Sequence, residues 1–514
     1  MMEGREMNMK KNLYTILAAA AVFAGCTETT GVDPEEYVYP LFFDLSGEKV
    51  VFDIDGGMAA LAVATNAETL DYTASGDWFT VENDGNGFLK ISAPANYSPE
   101  TRTGAVELTA VLGEETMAAT VSVTQRSDNS VNLSAAGTSN CYLVRTGTSY
   151  TFDATVKGNG GSDGRSHYIE TCGVDITGIS YADLLWEART DGDKTMSREI
   201  IDGVPVYNDG YVSFTTGRME GNALIAVKDY DGKVLWSWHI WVCDDEITVH
   251  DHINPRDEVS GQIMDRNLGA LNNTPMDVNN KGMFYQWGRK DPFMPSSSPY
   301  HDDADSGNVP EYNRASLEVG DGTGEWLISE DYRAQLLSEP PANIPYSVQN
   351  PMMFLRPYGG TGGYHWYVAS MSDEALVSSL WSAEEKTIFD PCPQGYRVPG
   401  HNFYGIASEL DVNSYTTGGS GDTDENGELY PWETAKDCGR IWRKTGDYYP
   451  MAGNLYPVGE STHNYCSGMG YYWVAHEMEN GSNARSFSFR FNENIATYYA
   501  SGEDFCYQIR CVKE

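Results

Sequence analysis

From Ala223 to Val242 the chain reads ALIAVKDYDGKVLWSWHIWV, and few folds accommodate it. Asp231-Gly232 between two apolar runs is a strong hairpin signal, because a two-residue turn needs the positive φ that glycine adopts freely. Downstream of the turn, Val234, Trp236, Trp238, Ile240 and Val242 alternate with Leu235, Ser237, His239 and Trp241. Successive strand residues point to opposite faces, so tryptophan stands on both sides. That predicts a strand covered twice over, in a protein of stacked β layers. A lone histidine on such a strand reads as a hydrogen-bonded core residue before it reads as a ligand.

The same two-residue period runs through shorter segments upstream. VVFDI (Val50–Ile54), GAVELTAV (Gly104–Val111) and TVSVTQ (Thr120–Gln125) are runs of about 5–8 residues bounded by Gly, Asn, Asp and Pro. With 52 Gly, 33 Tyr and 12 Trp, the composition suits a turn-rich β protein of the cell exterior. The chain of 514 residues carries 34 Lys+Arg against 74 Asp+Glu, a formal charge of -40. Such a surface repels phosphate and anionic lipid, which argues against nucleic acid as a partner. Attachment to a membrane must then be covalent or hydrophobic.

The first residues supply that attachment. Lys10 and Lys11 precede the apolar run Leu13–Ala24, which ends in Gly25-Cys26. The run is shorter than the roughly 20 residues a spanning helix needs. A charged start, a short apolar stretch and small residues before the cut point read as a signal peptide over 1–25. Small residues followed at once by cysteine resemble a bacterial lipobox, which implies that Cys26 becomes the lipidated N-terminus. Phe23 stands where leucine is usual, and an ordinary signal cleaved elsewhere is the alternative. Residues 26–37 read as a polar tether. Beyond Cys26 there remain eight cysteines, an even number that permits disulfides, and no pair has CxxC spacing.

Residues 38–126 read as one small antiparallel sandwich and 127–248 as a second. In the first, SGDWFTV (Ser75–Val81), SPETRTGAVELTA (Ser98–Ala110) and VSVTQR (Val121–Arg126) resemble the BACON domain, an immunoglobulin-like module of gut Bacteroidetes surface proteins. The resemblance implies carbohydrate or mucin binding. Trp78 is a stacking candidate there, although a tryptophan beside alternating apolar residues is first of all core.

After Val249-His250-Asp251 the strand period blurs. DRNLGA (Asp265–Ala270), FYQWGRKDPF (Phe284–Phe293), DPCPQGYRVP (Asp390–Pro399), GYYWVA (Gly470–Ala475) and IRCVKE (Ile509–Glu514) follow in that order. Residues 249–514 thereby resemble the Fibrobacter succinogenes major paralogous domain, related to the C-type-lectin-like fold. The fold class expected is mainly β with an α+β C-terminal domain: two immunoglobulin-like β-sandwiches, then a C-type-lectin-like domain. The resemblance implies a long disulfide between an internal element and the last strand, here Cys392 with Cys511. Closing a loop of ~120 residues removes about 4–5 kcal/mol of unfolded-state freedom in the chain-entropy model. Phe284, Tyr285, Trp287, Tyr472 and Trp473 lie in motif cores and are expected to pack the domain.

In lectin-like receptors the ligand surface is built by irregular loops near the final strands. The corresponding loops here are 430–442, 475–485 and 492–504. With Arg490 they offer Trp432, His476, Asn480, Tyr498 and Tyr499, a mix of stacking faces and planar hydrogen-bonders suited to sugar or protein. Alternation in SFSFRFN sets Arg490 on the face opposite Phe487, Phe489 and Phe491. Separately, Asp422–Glu433 satisfies the EF-hand loop pattern, with Asp422, Asp424, Asn426 and Glu433 as calcium ligands. Pro431 inside the loop and TTGGSG before it oppose that reading. No cofactor is otherwise expected.

The leading expectation is an outer-membrane lipoprotein, displayed on the cell surface, whose lectin-like head binds glycan or glycoprotein. The alternative is a structural fimbrial or tip subunit that binds protein partners. A formylglycine-generating type of enzyme comes last, since no closely placed reactive cysteine pair, nucleophile elbow, HExxH helix or phosphate loop is present.

Overall fold

The computed structural model describes residues 40–161, 169, 172–188, 199–254, 257–275, 277–293, 343–352, 355, 366, 380–400, 403–404, 415–416, 439–442, 445–458, 461–464, 469–475, 485–490, 496–500 and 505–514. These residues are mainly β, arranged in several sheets.

The first eight strands occupy residues 43–125. They are β1 (Phe43–Leu45), β2 (Lys49–Phe52), β3 (Gly57–Thr65), β4 (Thr69–Ser75), β5 (Thr80–Asn83), β6 (Phe88–Ala93), β7 (Arg102–Leu112) and β8 (Glu115–Gln125). One sheet runs β2-β8-β7-β4, and β5, β6 and β3 begin another, with β1 pairing to β3. Alternation decides what is buried. In β6, FLKISA hides every second residue, and Leu89 and Ile91 meet Val106, Leu108, Val121 and Val123 of the opposite sheet in one core.

Eight further strands follow: β9 (Val131–Asn132), β10 (Cys141–Val144), β11 (Ser149–Asp153), β12 (Tyr181–Ala188), β13 (Val206–Asn208), β14 (Tyr211–Thr215), β15 (Gly221–Lys228) and β16 (Val234–Val242). One sheet runs β10-β16-β15-β12. The others extend the first segment's second sheet, β5-β6-β3-β13-β14-β11-β9. The extension is slender, since a single antiparallel contact of Tyr207 with Met58 joins β13 to β3. Val204 and Val206 reach into the first segment's core, and Asp202 pairs with Lys49 at 2.5 Å.

β15 and β16 form the hairpin read from the sequence. Gly232 has φ of 80°, and Asp229 Oδ1 accepts from the amides of Asp231 (3.0 Å) and Lys233 (2.9 Å) to close the turn. Every residue of β16 is buried except the half-buried Leu235, as tryptophan on both faces predicts.

What covers the second face of β16 is the C-terminal half. Its elements are β17 (Val249–Ile253), β18 (Val259–Met264), β19 (Phe284–Gln286), β20 (Pro292–Phe293), α1 (Asn343–Gln349), β21 (Tyr396–Arg397), β22 (Tyr415–Thr416), β23 (Gly439–Ile441) and β24 (Tyr448–Pro450). Then come β25 (Asn454–Val458), β26 (Ser461–Asn464), β27 (Met469–Trp473), β28 (Arg485–Arg490), β29 (Ala496–Ala500), β30 (Cys506–Tyr507) and β31 (Val512–Lys513). Their sheets run β17-β18-β31-β21, β20-β19-β30-β25-β26, β22-β23-β24 and β27-β28-β29. The last strand thus lies between strands from the start and the middle of the segment. One continuous core reaches from Cys141 to Cys511, so the buried interior does not stop at residue 248.

Candidate functional site

The core of the C-terminal half is fastened at the DPCPQGYRVP turn. Cys392 and Cys511, the pair that the family resemblance implies, are bonded to each other across 119 positions, and both are fully buried. Asp390 organises the turn. Its carboxylate accepts from the amides of Cys392 and Val398, each at 2.9 Å, and from Lys386 Nζ at 2.7 Å. Lys386 also donates to the carbonyls of Cys392 and Tyr396, both at 2.7 Å. A buried ammonium with three oxygen partners is satisfied, and the proline-stiffened turn around it is fixed.

The same turn is fastened to the preceding segment. Asn140 Nδ2 donates to the carbonyls of Ile388 (2.7 Å) and Asp390 (2.9 Å), while its Oδ1 accepts from Trp236 Nε1 at 3.0 Å. Along β16 the face of Ser237, His239 and Trp241 meets the C-terminal half. Ser237 donates to Asp291 at 2.7 Å, and Trp241 Nε1 donates to the Ala270 carbonyl at 3.0 Å. Lys290 reaches Asp291 at 2.5 Å and the Ser237 carbonyl at 3.0 Å, and burial still pulls its ammonium down to about 8.

His239 is the centre of this seam. Asn222 Oδ1 can only accept, so the imidazole Nε2–H donates to it at 2.8 Å. Nδ1 is then the acceptor for the Tyr285 hydroxyl at 2.9 Å, and Cys141 Sγ lies 3.5 Å away. Cysteine, histidine and asparagine in one chain is the order of a nucleophilic site. Here burial drives the imidazole down to about 3 and pushes the thiol up, and all three residues are sealed from solvent. The expectation of a hydrogen-bonded core histidine holds.

Among the predicted ligand residues, Arg490 ends β28, and Tyr498 and Tyr499 lie in β29. Their register is set by β27. Tyr498 is opposite Phe487, which is opposite Tyr472; Tyr499 is opposite Ser486, which is opposite Trp473; Arg490 is opposite Met469. Paired residues share a register row. Tyr499 therefore falls in the row parity of Ser486, Ser488 and Arg490, and Tyr498 in that of Phe487 and Phe489. Trp432, His476 and Asn480 lie outside the described residues, as do the calcium-loop residues Asp422, Asp424, Asn426 and Glu433, and Cys26. Among the described residues no cluster of three or more His, Cys, Asp or Glu is placed to hold a metal, and no helix is long and apolar enough to cross a membrane.

The motif aromatics pack the interior as expected. Phe284, Tyr285, Trp287, Tyr472 and Trp473 are buried, and Trp473 Nε1 donates to the Tyr285 carbonyl at 2.6 Å. Trp78 is half-buried against the first core, with the Arg102 guanidinium 5.2 Å from its ring centre. Sequence reasoning missed the buried cations. Arg289 donates to the carbonyls of Ser347, Asn350 and Pro351, and burial pulls it down to about 10. Arg510 lies 3.9 Å from the Tyr449 ring centre and donates to Asn267 Oδ1 at 3.1 Å. Their signal is a basic residue inside an apolar motif, in QWGRKDPF and QIRCV.

No family model matches the chain, and no curated protein matches it. Among solved structures, titin domains Z1Z2 in complex with telethonin align with 40% of this chain and 98% of theirs, at 12% identity and a TM-score of 0.15. Fibronectin(III)-like modules of Clostridium thermocellum CbhA align with 40% of this chain and 94% of theirs, at 15% identity and 0.14. The E. coli chaperone DraB aligns with 39% of this chain and 97% of its own, at 8% identity and 0.15. Likenesses this slight establish neither family nor function.

Proposed function

We propose that the chain is a lipid-anchored surface protein whose C-terminal half binds glycan or glycoprotein without catalysis, carried on two immunoglobulin-like sandwiches. The C-terminal half is read as C-type-lectin-like, and Cys26 as the lipid-bearing residue. The observation that carries the reading is the cross-linked platform: the Cys392–Cys511 bond and the hydrogen-bonded seam to β16 fix the turn at 390–399, whose Pro399 carbonyl accepts from the Ala475 amide at 2.7 Å. A binding face on such a base loses little freedom when a ligand docks, which is what a recognition surface without chemistry requires. The charge of -40 supports a partner that is neither nucleic acid nor anionic lipid.

A glycan and mucin array with the purified full chain tests the reading. Retention of a defined glycan class, reduced at least tenfold by Arg490→Ala or Tyr499→Ala, supports it. An array without retained glycan, or retention that neither substitution changes, refutes it. Protease treatment of intact cells tests display, since a protein facing the periplasm would survive.

A further inference from the structure

Thr248, His250, Asp265 and Asp447 form one hydrogen-bonded chain at the start of β17, and counting its protons constrains how it behaves. Asp447, whose side chain is 1% exposed, places Oδ1 2.5 Å from His250 Nδ1. His250 Nε2 is 3.3 Å from Thr248 Oγ1, and the Thr248 hydroxyl donates to Asp265 Oδ2 at 3.0 Å. A carboxylate only accepts, and a hydroxyl has one proton to give. With that proton directed at Asp265, Thr248 can only accept from His250, so Nε2 must bear hydrogen. Asp447 requires hydrogen on Nδ1 for the same reason. Both bonds coexist only on the doubly protonated ring.

We infer that His250 is a pH-sensitive latch between β17 and the β23–β24 hairpin. The charged ring closes both bonds and offsets the Asp447 carboxylate. Loss of one proton breaks a bond and leaves Asp447 a buried anion held by a neutral donor. Its other oxygen, Oδ2, is buried and makes no hydrogen bond, so no second partner takes over. The other groups facing the ring do not substitute. Asp265 is already paired with Arg266 at 2.9 Å, and Asp251 accepts from Gln262. Arg510, between the last two strands, donates to the Tyr448 carbonyl at 2.5 Å; its charge acts on Asp447 through space and gives the carboxylate no hydrogen bond. The imidazole is 42% exposed, so protons reach it from solvent. The backbone carbonyl of Asp447 in turn accepts from the Trp442 amide at 2.8 Å, which ties the carboxylate's own residue into the β23–β24 hairpin.

Amide hydrogen exchange of residues 439–450 in the full chain, at about pH 5.5 and about pH 8, brackets the usual range of imidazole titration. After correction for intrinsic rates, protection in the native chain should fall about tenfold at the higher pH, the size of one lost charge-assisted hydrogen bond. His250→Gln should show no such step. An unchanged native protection, or a step that survives in His250→Gln, overturns the latch. Ring nitrogen shifts of His250 in the unmodified chain decide independently of any variant: both nitrogens must be protonated at the pH of full protection, and one must have lost its proton where protection has fallen. A ring already neutral at the pH of full protection overturns it too.

Discussion

The molecule has two joints, and they are built from different materials. Between the first segment and the second, the joint consists of the Tyr207–Met58 pairing, the Val204 amide donating to the Lys49 carbonyl, two valines, a Lys49–Asp202 pair and rim contacts such as Arg126 with Ser149 and Phe88 with Tyr181. Between the second segment and the C-terminal half, the donors of Trp236, Trp241, His239, Lys290 and Asn140 are each directed at a named acceptor. The first joint is a bridge between two cores, and the second is the interior of one core. Buried polar groups make the second joint costly to open, because an exposed break leaves each of them without its partner. The N-terminal segment is therefore dispensable to the fold of the rest in a way that residues 127–248 are not.

The disulfide offers the largest test of that contrast. Replacing Cys392 and Cys511 together by serine should cost about 4–5 kcal/mol in the chain-entropy model, read by urea unfolding of both proteins under oxidising conditions. The loss belongs to the cooperative unit 127–514, and unfolding of residues 38–126 should not shift. Pulled from its termini, the native chain should also gain on the order of 400 Å of contour length when reductant is added, since about 120 residues at roughly 3.5 Å each lie within the bond. Equal extension with and without reductant would show the bond absent.

Next in size is Trp236→Ala, expected to cost about 3–5 kcal/mol for the cavity and the orphaned Asn140 oxygen. If the seam is one core, signals from both halves of 127–514 must melt together in this variant. Two separate transitions, one for 127–248 and one for the remainder, would reduce the seam to a docking surface.

How far the sequence spoke follows the same division. The covered strand, its Asp231-Gly232 turn and the role of His239 were legible because they depend on local alternation and on one turn. The family resemblance directed attention to Cys392 and Cys511. The shared sheet was not legible, because β13 has only three residues and its partner lies about 150 positions away, with no periodic pattern to mark it. Nor was the fused core, since a change from strand period to irregular chain at 249 is equally what a domain border looks like. The buried cations escaped because charge normally signals surface, and their carbonyl partners are carried by backbone that no side-chain pattern reveals. At the candidate ligand face, adjacency in sequence grouped Tyr498 with Tyr499, while pairing to β28 assigns them to different rows.

Acid gives a smaller and more selective effect. The folded imidazole of His239 is held down to about 3, against an ordinary value near 6.5 when unfolded. Below about pH 6.5 the unfolded chain binds the extra proton, so this residue's contribution is complete above that pH and is lost on acidification toward 3. The slope approaches about 1.4 kcal/mol per pH unit, or about 2 kcal/mol by pH 5. His239→Gln should lower stability at neutrality and remove that part of the slope. Parallel pH profiles for the two proteins would mean the ring is not held neutral.

The smallest effect is assigned to the first joint, and its smallness is the prediction. Lys49 and Asp202 keep 41% and 36% of their side-chain surface in solvent, so water and salt screen the pair despite its short distance. Lys49→Ala should cost at most about 1 kcal/mol, and less in high salt. Val204→Ala, which empties part of the first core, should cost more than the ion pair does, because apolar burial is what couples the two segments there. If Lys49→Ala instead destabilised residues 127–248 as strongly as Trp236→Ala, a partly exposed ion pair would be transmitting order between the segments. The two joints would then be alike, and the N-terminal segment would belong to the same folding unit as the rest.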